Sequence, residues 1–288
     1  MYVHKIGSWN GGGLMGIGAI KFMLMLNRDS TNKQEYDGYT GTSTGAIIAG
    51  AMAIDMPMVD LYHLYVDIGK SVFKHKSWLP NRPKYKRGPL EKALRNGFGE
   101  ILLSELDKPI FIPYSDFHTG QVRVFDRSDS IPLWYAVLVS CSAPSYFPPV
   151  EGCYCDGGLI ANNPSLIGAT GYSREMDIPL SQISVMNYDT NGKMDTDTPI
   201  SSSMLLPQIA ISVFKFVMGA SEGITSFYCN QVGLHSYMLL QPKLTRKYAM
   251  DDTKILHEYP KVWENYYNQV KNDVFLYMSN IKQSEEDV

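Results

Sequence analysis

Two short stretches of this 288-residue chain carry residue types that can do chemistry together. One is Gly41-Thr42-Ser43-Thr44-Gly45 and the other is Asp156-Gly157-Gly158. The first has the form G-x-S-x-G. It follows the strand-like run Glu35–Thr40 and leads into Ala46–Ala53, which reads as a buried helix. Strand, sharp turn and helix are the context that a nucleophile elbow requires. There the serine hydroxyl points into a site, glycines on both flanks let neighbouring backbone pass, and the helix N-terminus favours developing negative charge. The bland alternative is a tight strand–helix junction packed with small residues.

A serine nucleophile needs a base and donors for an oxyanion. The six histidines are His4, His63, His75, His118, His235 and His257. None lies in a glycine-rich turn after a late strand, where a hydrolase triad has its base; His235 is the one late candidate. His118, in a turn, reads as a surface residue. Asp156 is better placed. It follows the strand-like Gly152–Cys155, and the glycines after it permit close approach to its carboxylate. A partly desolvated carboxylate bonded to a hydroxyl can take its proton directly. In isolation, Asp-Gly-Gly is ordinarily just a turn.

Donors come from the N-terminal end of the chain. A strand at Tyr2–Gly7 is followed by the loop Asn10–Gly18 and a helix over Ala19–Leu26. Backbone N–H groups in such a glycine loop converge on one point and cradle an anion. Gly11-x-Gly13-x-x-Gly16 also fits the dinucleotide fingerprint, which wants an acidic partner about twenty residues on, after a second strand. Glu35 and Asp37 stand near that distance but precede the Gly41–Gly45 turn, so they read as strand or turn residues. A G-x-S-x-G elbow just downstream favours an oxyanion hole.

The remaining pattern is that of a globular α/β chain. Helices are expected over Asp55–Lys70, Leu90–Phe98, Pro132–Ser142, Met204–Phe227 and Val262–Ile281, with another beginning at Asn162-Asn163-Pro164. Strands are expected at Ile110–Tyr114, Gln121–Phe125 and Ile183–Tyr188. Gln283–Val288 reads as an acidic, frayed end. The proline- and cation-rich stretch Trp78–Pro89 reads as a solvated loop or, more sharply, a lid over an anionic head group. A net charge of −3 speaks against nucleic acid, and 44% apolar residues support a sizeable core. Cys141, Cys153, Cys155 and Cys229 match neither a disulfide framework nor a zinc site; they read as buried free thiols in a reducing compartment. No signal peptide is expected, and the longest apolar runs, Leu14–Leu26 and Ile209–Val217, are too short for a span. The expectation is therefore a cytoplasmic protein, peripheral to membranes.

Together the three motifs resemble the patatin-like phospholipase family of serine acyl hydrolases. The Gly11–Gly16 loop, Gly41–Gly45 and Asp156-Gly157-Gly158 occur in the family's order, and Ser140–Val150 is similar to the family's segment before its catalytic aspartate. The resemblance covers roughly residues 2–195. It implies a three-layer α/β/α fold around a mostly parallel sheet. It implies a dyad of Ser43 as nucleophile and Asp156 as base, with backbone donors from Gly11, Gly12, Gly13 and Thr44. The glycines Gly16, Gly41, Gly45, Gly157 and Gly158 would shape the motifs. The substrate would be a lipid or phospholipid ester, met at a membrane surface, and neither metal nor organic cofactor is implied. Asn10 stands where the family often has aspartate, and Met15 where it often has a basic residue. Neither replaces a backbone donor; the missing cation bears on loop anchoring and on preference for anionic lipid. The expected organisation is a catalytic domain over 1–200 and a helical extension over 201–288 packed on it. The rival readings are a catalytically silent lipid-binding or interaction protein and a nucleotide-binding module using Gly11–Gly16.

Overall fold

The computed structural model describes residues 2–30, 35–74, 76–77, 82–193 and 206–286, with backbone alone at 206–211, 213–215 and 282–286. His75, Trp78–Asn81, the 200/201 boundary and Met204 lie outside the described residues.

β1 (His4–Trp9) enters a glycine loop, a single 3-10 turn and α1 (Gly16–Asp29). β2 (Gly38–Gly41) crosses Ser43 into α2 (Thr44–Ala53), followed by α3 (Met58–Val72) and α4 (Gly88–Phe98). Next come β3 (Ile110–Asp116), β4 (Gln121–Phe125), α5 (Leu133–Ser140) and β5 (Tyr154–Asp156). One turn of helix, α6 (Gly158–Ala161), leads to α7 (Ser165–Met176) and β6 (Ile183–Tyr188). α8 (Leu206–Cys229), β7 (Ser236–Leu240) and α9 (Ile255–Glu286) complete the described chain.

The strands lie in the order β4-β3-β2-β1-β6-β7. The pairs from β3 to β7 along this path are parallel, and β4 is an antiparallel edge. Side chains alternate across this sheet with the period of two that strands impose. Ile6, Phe111, Ile183 and Val185 face a smaller core closed by Ala169 and Tyr172 of α7. Trp9, Ile112, Met186 and Tyr188 face a larger core filled by α1, α2, α3, α5 and α9. This is the three-layer α/β/α arrangement. α2 and α5 are apolar nearly all round and are buried nearly all round.

The register on β3 positions the site. β2 pairs with β3 only at Tyr39↔Ile110 and Thr40↔Phe111, and then the chain turns away at Gly41. The vacated stretch of β3 is taken by β5, antiparallel, with Tyr114↔Asp156 as its first pair. A strand ending and a strand arriving therefore meet on one edge of β3. The last residue of β5 stands next to the first turn after β2.

Several expected boundaries move. The first strand is His4–Trp9 rather than Tyr2–Gly7, because pairing with both β2 and β6 continues to Trp9. β2 begins at Gly38, since Asp37 spends its carboxylate on the Lys5 N–H (2.7 Å) and on the Tyr2 hydroxyl. The segment after residue 200 is not all helix: β7 pairs in parallel with β6 and extends the sheet. Ser236-Tyr237-Met238-Leu239-Leu240 is short and carries no β-branched residue, so its sequence gives little strand signal. α9 runs from Ile255 to Glu286, longer at both ends than Val262–Ile281. Its Trp263 is fully buried, 5.7 Å from Phe22 between ring centroids, and against Gly18.

Trp263→Ala should lower unfolding stability by about 3–5 kcal/mol, the usual loss for a large buried aromatic. Urea denaturation followed by circular dichroism measures it. A midpoint unchanged from wild type would mean that α9 is an appendage and not part of the core.

Candidate functional site

Ser43 sits where a chain leaving β2 must reverse into α2. Its backbone takes φ 54° and ψ −127°, a region that side-chain-bearing residues avoid. Such a conformation costs on the order of 1–3 kcal/mol and persists only where neighbours over-determine it. The neighbours are specific. A Cβ on Gly41 would come within 2.2 Å of the Gly45 carbonyl oxygen, and one on Gly45 within 2.2 Å of the Trp9 carbonyl oxygen. The turn closes this tightly only with glycine at both places. The Ser43 N–H donates to Ser140 Oγ (2.9 Å), and that hydroxyl donates to the Pro113 carbonyl (2.7 Å). α5 and β3 thus hold the elbow from outside.

The constrained hydroxyl has one acceptor. Ser43 Oγ donates to Asp156 Oδ2 at 2.5 Å. The other carboxylate oxygen accepts the Gly158 N–H (2.7 Å), which fixes the plane of the group. Around it, the Asp156 N–H donates to the Ser142 carbonyl and Ser115 Oγ donates to the Asp156 carbonyl. Asp156 is 4% exposed. Burial pushes its carboxyl up to about 7, against the opposing pull of the bonds from Ser43 and Gly158. A carboxylate tuned near neutrality is a serviceable general base for a hydroxyl in direct contact.

The glycine loop lies across the same opening, and its members differ. The Gly11 N–H is spent on the Asn162 carbonyl (3.2 Å), so Gly11 anchors the loop and has no donor to offer a ligand. The Gly12 N–H reaches only Thr44 Oγ1, at a long 3.3 Å. Gly13 opens the 3-10 turn and Thr44 is the first residue of α2, positions whose N–H groups have no partner inside their own helices. Gly12, Gly13, Thr44, Ser43 and Asp156 all line one pocket. Gly16 lies under Tyr65, whose hydroxyl donates to the Thr44 carbonyl. Gly157 lets β5 pass the Pro113 carbonyl, and Gly158 supplies the bond to Asp156. The loop is a poor diphosphate cradle, because the Leu14 N–H is taken by the Met250 carbonyl (2.9 Å).

The pocket wall is apolar, built from Leu14, Ile47, Phe73, Phe147, Met218 and Met250 among others. Among the described residues, none that lines it is a histidine. His118 sits in the β3–β4 turn and His235 directly precedes β7. Among the described residues of the expected loop, Lys84 pairs with Asp251 (3.6 Å) and stacks over Tyr146, and Arg87 donates to the Pro149 carbonyl. Sequence reasoning gives no role to Ser140, Asn162, Met218 or Met250. Ser140 stands inside the family-like Ser140–Val150 segment; the two methionines come from stretches with no motif at all.

The model of the patatin-like phospholipase family matches residues 10–167, and the chain belongs to that family. A cGAMP-activated phospholipase of Escherichia coli is 28% identical over 88% of this chain and 80% of its own length. A cGAMP-activated phospholipase of Vibrio cholerae is 27% identical, over 88% and 82% respectively. An 85/88 kDa calcium-independent phospholipase A2 of Rattus norvegicus is 25% identical over 88% of this chain and 37% of its own length.

A carboxyl group can take a hydroxyl proton only when ionised, and burial pushes that of Asp156 up to about 7, so with Asp156 as the base Ser43 reactivity should fall as pH drops through 7. The second-order rate of fluorophosphonate labelling should lose about tenfold per pH unit below that point and level off above it. A limb near pH 4 would mean that Asp156 is solvated and untuned.

Proposed function

We propose that this patatin-like protein hydrolyses carboxylic esters of phospholipids or related lipids through a Ser43–Asp156 dyad. The 2.5 Å hydrogen bond between Ser43 Oγ and Asp156 Oδ2, in an apolar pocket beside backbone donors, carries the proposal. Ser43 Oγ attacks the ester carbonyl while its proton passes to Asp156. The N–H groups of Gly12, Gly13 and Thr44, residues that line the same pocket, would receive the negative oxygen of the tetrahedral intermediate. Asp156 then returns the proton to the departing alcohol oxygen, leaving an acyl-enzyme. Water, deprotonated by the same carboxylate, attacks the acyl carbon, and Ser43 is released with a free fatty acid.

The acyl chain fits the apolar wall, where Met218 and Met250 are unbranched and adapt to a long ligand. α8, which supplies Met218, is oriented unusually. Beside Met218 and the buried Cys229, its described inward side chains include the polar Ser221, Glu222 and Ser226, while Phe216, Ile224 and Phe227 on the outside are 73%, 58% and 62% exposed. At 100° per residue these three share a face, which suits contact with the surface of a lipid aggregate. No described helix is long and apolar enough to cross a membrane. Four cysteines without a disulfide fit a cytoplasmic setting, with the protein peripheral to the membrane.

Product analysis on phospholipid vesicles tests the reaction, run with and without added cGAMP because two relatives are named for activation by it. Wild type should release fatty acid. Ser43→Ala and Asp156→Asn should each remove nearly all turnover, and the double variant should be little worse than either, since the pair acts as a unit. Fluorophosphonate labelling that survives Ser43→Ala, or an active, folded Asp156→Asn protein, would sink the dyad. Exposure of α8 makes a separate forecast: Phe216→Asp with Phe227→Asp should weaken sedimentation with vesicles by about tenfold while hydrolysis of a monomeric short-chain ester is kept. Unchanged sedimentation would place the lipid contact elsewhere.

A further inference from the structure

We infer that Glu222 of α8 is a positioning residue for the glycine loop, acting through Asn162 and Asn191; the inference rests on reading that loop as the oxyanion hole. Glu222 and Asn191 both lie beyond the stretch matched by the family model.

The Gly11 carbonyl and the Gly12 N–H belong to one planar peptide unit and point in opposite directions. Whatever holds the Gly11 oxygen therefore aims the Gly12 N–H. Three side chains hold it: Asn191 Nδ2 at 2.8 Å, Thr190 Oγ1 at 3.0 Å and Asn162 Nδ2 at 3.3 Å. The two asparagine nitrogens have a second acceptor in common. Both donate to Glu222 Oε1, Asn191 at 2.9 Å and Asn162 in a shorter contact.

An asparagine amide has a donor end and an acceptor end of nearly equal shape. A carboxyl oxygen at Glu222 selects the donor end of both, because the acceptor end would face another oxygen. Asn162 depends on this selection. Its Oδ1 is buried with no hydrogen-bond partner among the described residues, so the amide is held in this orientation only through its Nδ2, by the Gly11 carbonyl at a long 3.3 Å and by Glu222 in a closer contact. A flipped Asn162 would present oxygen to the Gly11 carbonyl and push the peptide plane round. Ser221, the preceding residue of α8, donates to the Ile160 carbonyl (2.7 Å) and accepts the Asn162 N–H (3.2 Å), so α8 holds the segment around Asn162 from two consecutive positions. The arrangement is not free of cost: burial, with Asp189 close by, holds the Glu222 carboxyl above the usual carboxylate range.

The consequence is a specific kinetic signature. A donor aimed at the oxyanion acts on the transition state more than on bound ester, so its misalignment lowers kcat and leaves KM nearly alone. Glu222→Ala should lose about tenfold or more in kcat with KM within about twofold, and hydrogen exchange of the 10–15 backbone should quicken. Glu222→Gln keeps an oxygen that both amides can reach and should restore both readouts. Ser226→Ala removes a different inward contact of α8, that to Asn163 (3.2 Å), and should leave both at wild-type values. Wild-type kcat and exchange in a folded Glu222→Ala protein would overturn the inference, and so would an equal loss in Ser226→Ala. A wild-type protein that neither hydrolyses ester nor takes fluorophosphonate would refute the hydrolase reading alone, since the exchange measurements still decide whether Glu222 pins the loop.

Discussion

A single edge of β3 governs the rest of this molecule. β2 occupies its first part and stops, and β5 occupies the remainder from the opposite direction. A parallel strand delivers the turn beyond its C-terminal end, while an antiparallel neighbour presents its own C-terminal residue at the same level. Ser43 and Asp156, 113 positions apart in sequence, are thereby brought to 2.5 Å. Had β2 continued in the same register for about four more residues, it would have covered Tyr114–Asp116, β5 would have no edge to pair with, and Asp156 would have no fixed place beside the elbow.

The contact is then tuned by its surroundings. Two glycines close the turn, and Ser140 ties its backbone to β3 through the Pro113 carbonyl. A buried carboxylate without a cation beside it is costly to ionise, and the Gly158 N–H and the Ser43 hydroxyl together offset part of that cost. The result is a group that changes protonation near neutrality, which lets it both accept and return a proton. The same turn starts α2, so the backbone N–H of Thr44 has no partner within its own helix, and Thr44 lines the same pocket as Ser43.

α8 reverses the ordinary division of a surface helix. Ser221, Glu222 and Ser226 face the protein and are bonded to Asn162, Asn163, Asn191 and the Ile160 carbonyl. Phe216, Ile224 and Phe227 face outward. The attachment is therefore directional and specific, and these three apolar side chains stay exposed. Because the same helix reaches the Gly11 carbonyl through two amides, whatever seats α8 also bears on the loop opposite Ser43.

Much of this was legible in the residues. G-x-S-x-G between a strand and a helix, a glycine loop after the first strand and Asp156 before two glycines are local signals, since each reports a backbone constraint met within a few positions. They pointed to the candidate nucleophile, the candidate base and the α/β class. Alternation in β4 and the mainly apolar run of β6 were strong enough that both strands occur where their sequences indicate. Local pattern could not separate Gly11, whose N–H is consumed by a residue 151 positions away along the chain, from Gly12 and Gly13. Nor could it find β7, whose strand character comes from the free edge of β6 rather than from its own residues. Met218, Met250 and Glu222 meet the site only through packing of segments distant in sequence, and no spacing rule encodes such a meeting. The sequence by itself determined which groups are able to react. Tertiary structure decided which of them touch, which donors stay free and at what pH the base is charged, because those depend on burial and on long-range hydrogen bonds that exist only once the layers close.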